Sequence, residues 1–208
     1  GYPSVKPETR DFIISLSDPE KKHKLWKHQL EGILRTIYMY EVVDEKGVLL
    51  NIVTGGGKTA IIACLIFWLK TIHGINKFLI LTPNTIVRGR LEIDFIKGKI
   101  FQDFELNKTN DMTVINELGL HMLKSGSQPQ GMLESGVILG NIQQLYLSNI
   151  TGKRNVSYIQ RSADKIAIFN DEAHNTPAPE YTNVLEILSE KCIFRLDTTA
   201  TPNRADGQ

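Results

Sequence analysis

The feature that most constrains how this chain can fold is a nearly unbroken apolar run, Val48-Leu49-Leu50-Asn51-Ile52-Val53, which ends in Thr54-Gly55-Gly56-Gly57-Lys58-Thr59. A strand this apolar is expected at the centre of a parallel sheet, covered by helices on both faces. The glycines lead straight into an apolar stretch from Lys58 to about His73, which reads as a helix. A loop of small residues between strand and helix lets backbone N–H groups point at phosphate oxygens, and the helix N-terminus adds favourable partial charge. In such a loop Lys58 neutralises the β and γ phosphates of a nucleotide and the Thr59 hydroxyl coordinates magnesium. The strict pattern G-x-x-x-x-G-K-[ST] is missed at its first position, which is Ile52.

The same alternation continues along the chain. Lys77–Leu81, Val137–Leu139, Ile166–Phe169 and Ile193–Leu196 are further buried strands. Between them, helical spacing is expected over Thr85 to about Lys97, Asn141–Tyr146 and Glu180–Ser189. The N-terminal end reads differently. Residues 1–18 are expected to form an irregular arm, and Asp18-Pro19-Glu20 a helix start. The helix that follows places Leu25, Gln29, Ile33 and Ile37 on one face. Residues 98–135, with a Gly/Ser/Gln tip at 125–131, read as an insertion at the sheet edge. Strands alternating with helices predict an α/β fold with a mainly parallel sheet between two helical layers.

The fourth of these strands is followed by Asp171-Glu172-Ala173-His174. An arbitrary Asp-Glu pair is usually solvated surface. At the carboxyl end of a buried parallel strand, and with a phosphate loop in the same chain, the pair faces the crevice where ligands bind. Asp171 is then expected to hold magnesium, partly through water, and Glu172 to polarise an attacking water. His174 is expected to link the nucleotide site to a neighbouring segment, Thr199-Ala200-Thr201.

Composition narrows the alternatives. The 208 residues suffice for one well-buried domain, and 41% apolar with 23% charged residues is ordinary for a globular protein. The net charge of +1 announces no global basic field, although a local basic face can hide in a neutral total. Cys64 and Cys192 read as buried thiols, and neither Cys-x-x-Cys nor zinc-spaced histidines occur. The longest apolar run, Ala60–Leu69, is far too short to span a membrane, and no signal peptide is read at the start, so a cytoplasmic location is expected. The lack of an initiating methionine suggests a piece of a longer product.

Taken in order, Trp26-Lys27-His28-Gln29, Thr54–Thr59, Leu79–Pro83, Asp171–His174 and Thr199–Thr201 resemble the first RecA-like domain of superfamily 2 helicases and translocases of the DEAD/DEAH type. Within that superfamily, Asn141–Leu145 and Asp197–Pro202 are similar to the restriction subunit of type III restriction enzymes. The likeness covers about residues 20–205. It implies a three-layer P-loop NTPase domain over residues 19–208, with ATP and Mg2+ as cofactors and Gln29 as the reader of adenine. It implies nucleic-acid backbone contacts by Thr82, Pro83, Arg88, Gly140, Asn141 and Gln143, and coupling through Thr199 and Thr201.

The resemblance further implies a second RecA-like domain, absent from these residues, that completes the ATP site with arginines. The fragment alone is therefore expected to hydrolyse ATP poorly. Double-stranded DNA is the expected partner, together with that second domain and a DNA-modification subunit; no membrane is expected. Three other readings stay open: an RNA helicase, a P-loop switch that moves along no strand, and a degenerate nucleotide-binding scaffold.

Overall fold

Among the described residues six parallel strands lie side by side, and side chains from their two faces feed two separate apolar cores. A computed structural model of the protein describes residues 4–82, 85–106, 112–124, 129–171 and 179–200. The strands are β1 (Gly47–Asn51), β2 (Lys77–Thr82), β3 (Leu120–Met122), β4 (Val137–Asn141), β5 (Ile166–Asn170) and β6 (Cys192–Thr199). Their spatial order is β1-β6-β5-β2-β4-β3, and every pairing is parallel. The helices are α1 (Pro7–Leu16), α2 (Lys27–Glu41), α3 (Lys58–His73), α4 (Thr85–Phe95), α5 (Lys99–Asp103), α6 (Met112–Glu117), α7 (Pro129–Glu134), α8 (Ile150–Ser162) and α9 (Pro179–Ser189).

Alternation along each strand separates the layers. Phe78, Ile80, Ala167, Phe169, Phe194 and Leu196 point into one core, where they meet α3 and residues of α1 and α2. Leu79, Leu81, Ile138, Ile166 and Ile168 point into the other, beneath Val156 and Ile159 of α8 and Val184 and Leu188 of α9. The α/β class and the helical layer on each side follow directly.

Four local expectations change. The arm is a helix: Phe12 and Leu16, four residues apart on α1, are buried, and buried Thr9 donates to Glu41 Oε1 (2.5 Å) while accepting from Trp68 Nε1 (3.0 Å). Two apolar residues at i, i+4 make too weak a stripe to stand out among charged neighbours. Asp18-Pro19-Glu20 is a turn in which Asp18 Oδ1 accepts from Glu20 N–H (3.0 Å), and α2 begins nine residues later. Asn141–Tyr146 is a single 3-10 stretch over Ile142–Leu145.

The fourth change concerns β1, which sits at the end of the described sheet and not at its centre. Leu50 and Ile52 are buried, while Leu49, Asn51 and Val53 are exposed. Only the face toward α2 and α3 is covered here, so an unbroken apolar run does not translate into burial on both sides.

Among the described residues of 98–135, Leu120–Met122 form β3 at the edge of the sheet, and Phe101, Ile115 and Leu118 reach into the first core. At the amino end of β2, buried Lys77 donates to the carbonyls of Met132, Leu133 and Ser135 around the end of α7. Burial pushes its ammonium pKa down to about 8. Both cysteines are free thiols, and burial pushes Cys64 up to about 12.

Candidate functional site

The loop between β1 and α3 is shaped by three glycines with different reasons for being there. Gly55 and Gly57 have φ of +81° and +72°, a region that costs other residues strain. Gly56 lacks room: a Cβ would lie 2.7 Å from Ile52 Cγ2 and 2.9 Å from Val53 O. Gly56 N–H closes the turn onto Val53 O (2.9 Å), and Gly57 starts α3 as its N-cap. Ile52, where the strict phosphate-loop pattern has glycine, is a core residue beside Gly32. Thr54 and Gly55 are exposed and Thr59 is half-buried in the first turn of α3. Lys58 is buried against the loop and its Nζ donates to Ile52 O (3.3 Å).

Helix α2 braces this loop from outside. The buried Gln29 side chain accepts from Trp26 N–H at Oε1 (2.8 Å) and donates from Nε2 to Gly56 O (3.2 Å) and Gly57 O (3.5 Å). His28 Nε2–H donates to the same Gly56 O (2.8 Å). The contact is close: a Cβ on Gly57 would fall 2.0 Å from Gln29 Nε2. In this arrangement Gln29, expected to read adenine, holds the loop backbone through its amide nitrogen, while its oxygen accepts from Trp26 N–H at the start of α2.

The other half of the site comes from β5 and β6. Asp171 is buried just past β5, with its N–H on Leu81 O (2.9 Å). By alternation it faces the same side as Ala167 and Phe169, which is the side of α3. Thr198 Oγ1 donates to Asp171 Oδ1 (2.9 Å). One residue on, Thr199 O accepts from Ile52 N–H (2.8 Å), where the chain leaves β1 for the loop. Consecutive residues of β6 thus tie the phosphate loop to the carboxylate.

On the opposite face, Asp197 receives Asn170 Nδ2 (3.1 Å) and a forked contact from Arg195, Nε at 2.9 Å and Nη2 at 2.7 Å. Sequence reasoning named Thr199 and missed Thr198. The signal was available in the pleat, since Thr198 shares a face with Phe194 and Leu196 and therefore with Asp171. Glu172, His174, Pro83 and Thr201 lie outside the described residues.

Of the residues expected along nucleic acid, Thr82, Gly140 and Asn141 lie at the carboxyl ends of β2 and β4, where Thr82 pairs with Asn141. Most are occupied with the fold itself. Thr82 is buried, and a Cβ on Gly140 would strike Leu123 Cδ1 at 2.6 Å. Asn141 Oδ1 accepts from Gln143 N–H (3.0 Å), and Asn141 N–H donates to Gln144 Oε1 (2.9 Å), so this asparagine caps the 3-10 turn. Arg88 is half-buried with Nη1 3.4 Å from Leu123 O, a carbonyl that also receives Gln144 Nε2 (2.6 Å). Gln143 is exposed.

Chemically, the carboxyl edge presents backbone N–H groups and a lysine at a helix start, with a hydroxyl at Thr59 and a carboxylate at Asp171. Hard oxygen donors of this kind fit magnesium, which usually draws its remaining ligands from water and substrate phosphates. Such an edge can hold a nucleoside triphosphate and place a carboxylate beside its terminal phosphate.

Comparison with known proteins agrees with this geometry. Residues 22–204 match the family described as "Type III restriction enzyme, res subunit". A search of curated proteins gave no match. Among solved structures, the Sulfolobus solfataricus SWI2/SNF2 ATPase core in complex with dsDNA superposes with a TM-score of 0.61 at 20% identity, over 92% of this chain and 36% of that one. The DUF1998 helicase MrfA, bound to DNA and AMPPNP, gives 0.62 at 12% identity, over 98% of this chain and 27% of that one. A nuclease-deletion mutant of the Type ISP restriction-modification enzyme LlaGI, in complex with a DNA substrate mimic, gives 0.55 at 16% identity, over 87% and 18%. The fold is that of helicase ATPase cores, and the chain spans about a third or less of the length of these structures.

Proposed function

We propose a function from one premise: the chain belongs to the type III restriction enzyme res-subunit family. It is the ATP-binding and hydrolysing motor domain of a DNA helicase or translocase. The observation that carries this reading is the tie through β6, by which Thr199 O holds Ile52 N–H and Thr198 Oγ1 holds Asp171. A phosphate cradle and a carboxylate linked in this way move as one unit, as hydrolysis coupled to motion requires.

In this reading the N–H groups of the 54–59 loop cradle the phosphates and Lys58 swings from Ile52 O to the β and γ oxygens. Asp171 and Thr59 hold Mg2+, which when bound neutralises charge on the phosphates. Glu172 orients the attacking water. Gln29 keeps the loop in its left-handed conformation, and Thr198 fixes the Asp171 carboxylate. His174, Thr199 and Thr201 pass the state of the site to the nucleic-acid track formed by Thr82, Pro83, Arg88, Gly140, Asn141 and Gln143. Of that track, Gln143 and Arg88 make the direct contacts, while Gly140 and Asn141 shape the turn that presents them. The RecA-like body spans residues 19–208, with 98–135 as an insertion. Double-stranded DNA, a second RecA-like domain and a DNA-modification subunit are its partners.

The test is ATP hydrolysis by the parent protein with and without duplex DNA, beside Lys58→Ala and Glu172→Gln. Stimulation by DNA that both variants abolish is the expected result. Stimulation by RNA alone would move the protein to the RNA helicases, and activity indifferent to both would make it a P-loop switch.

A further inference from the structure

Residues 18–26 form neither helix nor strand, yet 21–23 among them are gripped one by one. His23 Nδ1–H donates to Asp103 O (2.9 Å), Lys21 Nζ to Phe104 O (2.8 Å) and Lys22 N–H to Glu105 Oε1 (3.3 Å). Three consecutive residues ahead of α2 thus meet three consecutive residues at the end of α5. The pairing suits both partners. A helix leaves its last carbonyls without internal donors and favours a cation beside them. Lys21 supplies that cation while buried, a placement that needs such a partner.

Glu105 holds its place against its own backbone. Its φ is +47°, and Lys97, just ahead of α5, has +52°; among the described residues Asp44 is the one other non-glycine residue with positive φ. Such conformations cost strain and persist where the surroundings fix them, often at functional sites. What Glu105 helps to fix is the approach to α2. Three residues beyond His23 comes Trp26, the N-cap of α2, and the first turn carries His28 and Gln29, which donate to Gly56 O and Gly57 O. Ile33 and Ile37 anchor the middle of α2 in the first core. No earlier turn holds its start, so the segment leading into it must.

We infer that residues 103–105 are a positioning clasp for the nucleotide site: they fix 21–23, and through them the first turn of α2 against the phosphate loop. Glu105 is the positioning residue, and part of the segment that reads as an insertion becomes part of the ATPase. This rests on the reading of the 54–59 loop as a nucleotide site. The clasp acts on the backbone of the loop, so it serves the phosphates of a ligand whatever its base. Coupling between two sites is reciprocal, so a ligand that orders the loop also tightens the clasp.

Calorimetric titration of the 208-residue chain with Mg-ATP and with Mg-tripolyphosphate, beside chemical denaturation, tests it. Glu105→Gly removes the acceptor and relieves the left-handed backbone. It is expected to weaken both ligands about fivefold, the worth of one net hydrogen bond, while the denaturation midpoint holds or rises. Glu105→Gln, which keeps an acceptor oxygen, is expected to restore most of the affinity. Hydrogen exchange at the Lys22 amide should slow in the unaltered chain when Mg-tripolyphosphate binds, and not in Glu105→Gly. Unchanged affinity in Glu105→Gly, a loss confined to ATP, or a midpoint that falls in step with affinity would overturn the clasp while the nucleotide site stands. If the unaltered chain binds neither ligand, the nucleotide reading falls first and the clasp with it.

Discussion

The β1–β6–β5 side of the carboxyl edge and its β2–β4 side carry motifs of the same superfamily, yet their residues are used differently. On the first side, the glycine loop and the carboxylate are braced by neighbours, Gly57 by Gln29 and Asp171 by Thr198. On the second, Gly140 makes room for Leu123 and Asn141 caps a turn, so motif letters there spell the scaffold more than the contact surface. A motif can be maintained by backbone geometry alone, and only the arrangement around it tells which kind it is.

The sharpest way to break this contrast is Gly57→Ala. A left-handed φ and a Cβ 2.0 Å from Gln29 Nε2 combine there. The variant should lose about 3 kcal/mol in chemical denaturation, from backbone strain plus two displaced hydrogen bonds, and should bind no measurable ATP. Next comes Thr198→Val, which strips a hydroxyl from buried Asp171. It should cost about 2 kcal/mol, as for a hydrogen bond to a charged group, and reduce hydrolysis by the parent protein at least tenfold.

On the other side, Gly140→Ala should cost about 1.5 kcal/mol, since the clash is with the end of a flexible leucine, and leave ATP affinity unaltered. A fall in ATP affinity there would erase the distinction between the two sides. Asn141→Ala against Gln143→Ala sharpens it further. The first should lower stability by about 1 kcal/mol through the lost cap. The second should leave stability alone and weaken only DNA stimulation of hydrolysis.

The smallest effect is a titration. Lys77, which opens β2, loses its proton near 8 in the folded chain and at the ordinary lysine pKa when unfolded. Between those values the unfolded chain binds more protons, so stability should rise with pH. Below about 8 the penalty for burying the charge is present in full. The rise should be about 1 kcal/mol from pH 8 to 9.5, reduced by the three carbonyls that favour the ammonium, and Lys77→Met should flatten it.

The glycine loop was legible in the sequence because its requirement is written in residue type: φ of +81° and +72° at Gly55 and Gly57 lies where glycine goes at least cost. The strand order was not, because it depends on which buried run lies beside which. The same apolar letters that placed β2 correctly suggested a central β1. Helix α8 gave little signal, since it buries Val156 and Ile159 beside Gly152 and Asn155. For Gln29 the sequence showed a residue at the right place, but the direction of an amide is decided by partners far along the chain.

The pairing of β1 with β6 joins an early segment to the last strand, and among the described residues β6 is the only strand that β1 touches. Pairings of such long range form late, after the closure entropy of the intervening chain has been met. As the chain emerges during synthesis, the glycine loop and its brace α2 are made early, but Ile52 gains its partner only when Thr199 arrives. A nascent chain lacking β6 therefore carries every letter of the loop without the backbone bond that ties it to the sheet.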